Sequence, residues 1–209
     1  MLTLAFAGIA VGQAPPEGAN VETPFICPGP DEPPPPPATE AEARERERRR
    51  AYYDLFPLYV AAAGPEIDTE LKVPVDGVRV SQIADTWGGP RSGGRRHEGQ
   101  DLFAPTGTPI RSATDGWIWR IGERTLGGLT VTIVGGGGRR YYYAHLSAYA
   151  DVYEGQRVTP ETIIGYVGNT GNARTTPPHL HLGLYASEDP EDPCGWDAID
   201  PLPLLVDRD

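Results

Sequence analysis

Residues 179–185 read His-Leu-His-Leu-Gly-Leu-Tyr, an apolar stretch that contains two histidines. The stretch is typical of a β-strand, in which side chains two residues apart point to the same face of the sheet. His179 and His181 would then present both imidazoles on one face. The sequence therefore predicts a strand that carries a pair of histidines toward one site.

The chain has four histidines, and all of them fall between His97 and His181. His97 begins the motif His-Glu-Gly-Gln-Asp, which ends at Asp101, and a spacing of four places both side chains on one face of either a strand or a helix. Convergence of imidazole and carboxylate groups suggests a catalytic zinc site, because three nitrogen or oxygen ligands leave the fourth tetrahedral position for water. The spacing does not decide which of these side chains bind the metal.

Several short motifs follow one another through the second half of the chain. They read HEGQDLFAPTGTPI (97–110), ATDG (113–116), YAHL (143–146), GYVGNTG (165–171) and PHLH (178–181). In kind and order they resemble the motifs of the lysostaphin-type, or LytM-type, zinc metallopeptidases, which cleave peptidoglycan peptides. The resemblance covers about residues 75–186, roughly half of the chain.

The resemblance implies a role for each of five side chains. His97, Asp101 and His181 would bind Zn²⁺, and His145 and His179 would be the catalytic residues beside the metal-bound water. Zinc would activate this water and polarise the scissile carbonyl. The two remaining histidines would orient or deprotonate the water, stabilise the oxyanion and protonate the leaving amine.

Polar residues next to the histidine motifs are candidates for contact with substrate. Asn169 precedes the His179 motif and Tyr143 precedes His145, and we predict both as substrate-binding residues. A simple turn role for Asn169 is an equally good interpretation. The resemblance also places the glycine-rich loop 86–94, which leads into His97, beside the active site.

The composition favours strands over a helical bundle, since the 209 residues include 26 glycines and 23 prolines. We expect a mainly β fold, an antiparallel β-sandwich-like LytM-type metallopeptidase domain with an N-terminal helical extension. Content of β-branched and aromatic residues predicts strands at 108–121, 129–134, 139–146, 158–167 and 179–185, with the glycine run 135–138 as a hairpin turn.

Four segments are predicted along the chain: a signal peptide (1–14), a Pro-rich linker (15–38), a helical extension (39–72) and the metallopeptidase domain (73–209). The apolar run 2–11 has the length of a secretory signal and is half as long as the roughly 20 residues that cross a membrane. We therefore expect an exported protein of the periplasm or cell envelope without an integral membrane span. Thr39 and Glu42 predict a capping box, and Pro57 predicts a bend or end of the helix.

Charge and cysteine content limit the other classes of function. A net charge of -11 argues against sequence-independent nucleic-acid binding, which depends on neutralising phosphates with Lys and Arg. Cys27 and Cys194 are far apart and do not form a zinc-binding pair. A disulfide between them and two free thiols are both open.

The leading functional hypothesis is a zinc endopeptidase that hydrolyses stem peptides or cross-links of peptidoglycan. A second hypothesis is a regulator that binds and activates another cell-wall hydrolase, which would make cell-envelope proteins its partners. A third is a non-haem iron oxygenase, whose facial triad also uses two histidines and a carboxylate. The complete set of histidines favours the endopeptidase.

Overall fold

The computed structural model describes residues 39–187 and 196–208. The predicted signal peptide and Pro-rich linker, together with Cys27 and Cys194, lie outside the described residues. No helix among the described residues is long and apolar enough to cross a membrane.

The described residues form a mainly β structure with one α-helix, α1 (Glu40–Ala63), as expected. The strands are β1 (Leu71–Lys72), β2 (Gln100–Phe103), β3 (Pro109–Arg111), β4 (Gly116–Arg124), β5 (Gly128–Val134), β6 (Arg140–Leu146), β7 (Ala148–Tyr149), β8 (Arg157–Val158), β9 (Ile163–Tyr166), β10 (His179–Ala186), β11 (Asp197–Ile199) and β12 (Leu205–Val206).

One of the predicted strands is divided between two sheets. The predicted strand 108–121 is β3 followed by β4, because Ser112 donates a hydrogen bond to the carbonyl of Thr114 and closes a tight turn between them. β3 then pairs with β9 in the smaller sheet, whereas β4 pairs with β5 in the larger one. The short strands expected within 158–167 are β8 and β9, which belong to the larger and the smaller sheet.

The larger sheet is antiparallel, with strand order β11-β10-β6-β5-β4-β8. β2 pairs with the first half of β10, on the same edge as β11, which pairs with its second half. The smaller sheet has the order β3-β9-β7. β10 pairs with β2 on one side and β6 on the other, so that His181 lies opposite Asp101 and Ala144. The sheet register therefore brings the motif that contains His181 next to the motif that contains Asp101.

The core lies between the two sheets and follows from the alternation in β10. Leu180, Leu182 and Leu184 are fully buried in it, together with Ile110 of β3 and Ile164 of β9. The histidines of β10 occupy the opposite face, as the period of two predicts. The sandwich-like arrangement expected from the sequence is thus confirmed.

The helix of the extension begins at the predicted N-cap residue and is closed by a glycine. Thr39 accepts a hydrogen bond from the backbone N–H of Glu42, and Gly64 closes the helix with a φ of 82°. The helix does not end at Pro57 and runs on to Ala63. Phe56, beside the proline, is buried against β4, and this packing compensates for the hydrogen bond that proline cannot donate.

The last two residues of the predicted helical extension form β1. β1 pairs in parallel with β12, and Leu71 is fully buried in the main core. Since β12 is near the C-terminus, this pairing joins the two ends of the domain. Leu71 thus packs in the same core as residues of the predicted metallopeptidase domain.

Candidate metal centre

The three predicted metal ligands converge on one point at the junction of β2 and β10. Oδ1 of Asp101 lies 3.0 Å from Nε2 of His97 and 3.2 Å from Nδ1 of His181, and the two nitrogens are 2.8 Å apart. All three ligand atoms lie within 4.8 Å of one another. Two imidazole nitrogens and one carboxylate oxygen form a donor set that zinc prefers in catalytic sites.

The protonation of these groups suits a cation. Nδ1 of His97 lies 2.8 Å from the carbonyl of Thr86, which can only accept, so this nitrogen carries the proton and Nε2 keeps its lone pair for the metal. Burial opposes ionisation of Asp101, but hydrogen bonds with His181 and His97 hold its pKa well below the usual range. Burial also lowers the pKa of His181, which favours the neutral imidazole that binds metals.

A buried glutamine on β2 fixes the loop that orients His97. Oε1 of Gln100 accepts from the backbone N–H of Thr86 at 2.9 Å, and its amide nitrogen donates to Asp85 and Asp200, at 2.9 Å in each case. The hydroxyl of Thr86 in turn accepts from the backbone N–H of Asp101 at 3.0 Å. Thr86 thus links both ligands of the first motif, a role that the sequence did not reveal.

Arg91 holds the metal-binding carboxylate from its other side. Its guanidinium donates to Oδ2 of Asp101 at 2.6 Å, while Oδ1 faces the two histidines. This division of the oxygens leaves one of them for the metal. The glycine-rich loop 86–94 therefore lies beside the site, where the resemblance placed it.

His145 reaches the site through a break in strand alternation. A period of two would place it on the core face of β6 with Tyr141 and Tyr143, which are fully buried. His145 has a φ of 66°, the only positive value at a non-glycine among the described residues. This turns the imidazole toward the cleft, where its Nδ1 donates to the carbonyl of Thr170 at 2.9 Å.

The two predicted catalytic histidines form a pair beside the ligands. The ring centroids of His145 and His179 are 5.0 Å apart, and Nε2 of His179 lies 3.8 Å from Oδ1 of Asp101. Nδ1 of His179 donates to the carbonyl of Pro177 at 2.8 Å, so both rings carry their proton on Nδ1. Burial, with the nearby His179 and His181, lowers the pKa of His145 to about 4. Its Nε2 is therefore an unprotonated acceptor at neutral pH.

The site opens into a cleft of about 720 Å³. The histidines and Tyr142 line one part of it, and the other end is aromatic. Trp196 there stands between Trp119 and Tyr185, with ring centroids 5.8 Å and 5.9 Å away. Such an open cleft can admit an extended chain over the metal-binding residues.

The prediction that Tyr143 binds substrate is wrong. The side chain is fully buried, and its hydroxyl accepts a hydrogen bond from the backbone N–H of Ala113 at 2.9 Å. Its neighbour Tyr142 lines the cleft, because adjacent side chains of a strand point to opposite faces. Asn169 is half-buried, and the asparagine that lines the cleft is Asn172.

Gly99 approaches a metal ligand so closely that we expect Gly99→Ala to weaken zinc binding. A Cβ at this position would lie 2.6 Å from Cε1 of His181 and 2.6 Å from the carbonyl oxygen of Leu182. The backbone atom cannot yield easily, so the imidazole must move. We expect zinc affinity, measured by competition with a chromogenic chelator, to fall by about 10- to 100-fold.

Gly122→Ala is the matched control, because a Cβ there meets no atom within 4 Å. This variant should bind zinc like the unaltered protein. Equal affinities for the two alanine variants would contradict the proposed crowding of His181.

Comparison with known proteins agrees with this geometry. Residues 95–193 match the model of Peptidase family M23. The L-Ala–D-Glu endopeptidase of Bacillus subtilis is 38% identical over 128 residues, which span 57% of this chain and 38% of that protein. The chain therefore spans less than two-fifths of the length of this curated relative.

Two solved structures are also similar to this chain. The catalytic domain of lysostaphin from Staphylococcus simulans is 32% identical, with 58% of this chain and 89% of that chain covered and a TM-score of 0.49. The structure of lytM from Ruminococcus gnavus is 25% identical, with 81% of this chain and 75% of that chain covered and a TM-score of 0.55. The region that matches the family contains all four histidines and Asp101. Residues 95–193 form a domain that is homologous to peptidase family M23.

Proposed function

We propose that the protein is a zinc-dependent endopeptidase that hydrolyses peptide bonds in the stem peptides or cross-links of peptidoglycan. The observation that carries the proposal is the convergence of His97, Asp101 and His181 beside two further imidazoles in one open cleft. The L-Ala–D-Glu endopeptidase and lysostaphin among its relatives support a peptide substrate. Export to the cell envelope, expected from the apolar run 2–11, would bring the protein to this substrate.

The residues divide the chemistry between binding a metal and moving protons. Zinc held by His97, Asp101 and His181 supplies a Lewis acid and lowers the pKa of water. Nε2 of His145 accepts a proton from the attacking water, since the lowered pKa of this imidazole leaves its lone pair free. His179 is oriented by its hydrogen bond to the carbonyl of Pro177 and lines the same cleft as His145. It can stabilise the developing oxyanion or pass a proton to the leaving amine.

The complete set of side chains also bears on the other hypotheses. A regulator that only binds another hydrolase has no need of an intact donor set and two oriented imidazoles, so the arrangement favours an enzyme. An iron oxygenase would use the three ligands but leave His145 and His179 without a role. Metal analysis separates this case, because stoichiometric iron would contradict the zinc peptidase.

Removal of the metal tests the proposed function directly. Purified peptidoglycan is digested with the protein, with the chelated protein and with the chelated protein after zinc is restored, and the released peptides are identified by mass. We expect products to disappear on chelation and to return with zinc, because the catalytic water depends on the metal. Identical products before and after chelation would rule out zinc-dependent hydrolysis.

A further inference from the structure

Three arginines line the cleft without a carboxylate partner among the described residues. They are Arg95, Arg96 and Arg124, here called the basic rim. None of them takes part in the ion pairs found between described side chains. This is unexpected in a chain with a net charge of -11, in which acidic partners are abundant.

The basic rim keeps most of its hydrogen-bonding capacity. Arg95 donates from Nε to the carbonyl of Ser92 at 3.3 Å, and Arg96 donates from one terminal nitrogen to the carbonyl of Gly88 at 3.1 Å. A guanidinium has five N–H donors, so the remaining ones face solvent or a ligand. These two bonds fix the side chains on loop 86–97 without neutralising them.

The same loop is attached to the metal centre. Arg91 donates to Asp101, and His97, which directly follows Arg96, is itself a predicted ligand. Arg95 and Arg96 therefore line the cleft from the loop that leads into His97. Arg124 is at the end of β4, on a different element of the same cleft.

The cleft offers little negative charge to oppose the rim. Its acidic lining residues are Glu98 and Asp101, and Asp101 is already engaged by Arg91 and the histidines. A bound divalent cation would add further positive charge. The cleft is thus a local positive region on an acidic protein, and such a region attracts anionic ligands.

We infer that the cleft selects peptides that carry a free carboxylate close to the scissile bond, and that the basic rim binds this group. The inference rests on the proposed function and names its substrate class. Arginine suits the task because its planar guanidinium binds a carboxylate through two parallel hydrogen bonds. Acidic stem peptides would therefore be preferred to uncharged glycine bridges.

A pair of synthetic peptides tests the inference. The two have the same sequence, but the carboxylates of one are replaced by carboxamides in the other. Binding to the zinc-loaded full chain is measured by calorimetry and cleavage by mass analysis. We expect the acid to bind about tenfold or more tightly than the amide, as charge-assisted hydrogen bonds allow. This preference should shrink at high salt, which screens exposed charges.

Variants of the rim identify the residues responsible. Arg95→Gln and Arg96→Gln should each lose affinity for the acid, so that the ratio of acid to amide affinity falls toward one. Arg157→Gln removes a positive charge from an exposed position outside this cleft and should keep the ratio of the unaltered protein. A ratio that falls equally in all three variants would assign the effect to net charge and overturn the role of the rim.

The outcomes separate this inference from the proposed function. Equal binding of acid and amide, or failure of both to bind, overturns the inference, whether or not peptidoglycan is cleaved. Tighter binding of the acid without cleavage of any peptide supports the basic rim and contradicts the endopeptidase.

Discussion

Replacement of His145 by alanine is expected to lower kcat by about 10²- to 10⁴-fold, the usual contribution of a general acid or base. His145 is not among the three converging ligands, so the variant should still bind one zinc ion per chain. Replacement of His181 should instead abolish both zinc binding and hydrolysis, because its Nδ1 is one of the three proposed ligand atoms. Peptide cleavage rates and metal analysis on both variants measure these effects, and a His145→Ala enzyme with an unchanged kcat would contradict the assignment.

The backbone at His145 adds a second readout that distinguishes catalysis from folding. A left-handed conformation costs a residue with a Cβ about 1–2 kcal/mol relative to glycine. His145→Gly should therefore be more stable than His145→Ala by about this amount, while both variants should show the same loss of kcat. Denaturant unfolding compares the two. Equal stabilities would show that the φ of 66° stores no strain.

Much of the site follows from local sequence patterns. The spacing of two places His179 and His181 on one face of β10, and this face is opposite Leu180 and its apolar neighbours in the core. The spacing of four between His97 and Asp101 left both strand and helix open. In the structure, His97 lies in the loop before β2 and Asp101 within it, and the pairing of β2 with β10 completes the site.

The remaining parts of the site depend on interactions that no local pattern contains. The positive φ of His145 brings its imidazole into the cleft, although Tyr143, two residues earlier on β6, lies in the core. The hydrogen bond from Arg91 to Asp101 depends on the conformation of the loop that precedes β2. Such loop contacts are tertiary, and a period of 2 or 3.6 residues cannot predict them.

Helix α1 is the element whose relation to the domain was least apparent from the sequence. Its aromatic residues pack on β4 of the larger sheet. The ring of Phe56 lies 5.0 Å from that of Trp119 in β4, measured between centroids, and the guanidinium of Arg140 lies 5.1 Å from its centre. The indole nitrogen of Trp119 also donates to the carbonyl of Tyr52 at 3.0 Å.

Replacement of Phe56 by alanine is therefore expected to lower the free energy of unfolding by about 3–5 kcal/mol, the usual cost of removing a buried phenylalanine side chain. Phe56 is only 2% exposed and belongs to a core cluster that includes Trp119 and Val134 of the larger sheet. Loss of the ring should thus destabilise the catalytic sheet as well as the helix. Denaturant unfolding monitored by tryptophan fluorescence measures the change.

Leu55→Ala is the matched control, because Leu55 precedes Phe56 in the same helix and is 44% exposed. We expect this variant to remain within about 0.5 kcal/mol of the unaltered protein, as is usual for surface substitutions. If Phe56→Ala behaves like Leu55→Ala, the helix does not fold as one unit with the domain. If Phe56→Ala alone unfolds at lower denaturant concentration and cleaves peptides more slowly, the helix supports the cleft. Tyr53, one turn before Phe56 in the helix, lines the aromatic end of the cleft.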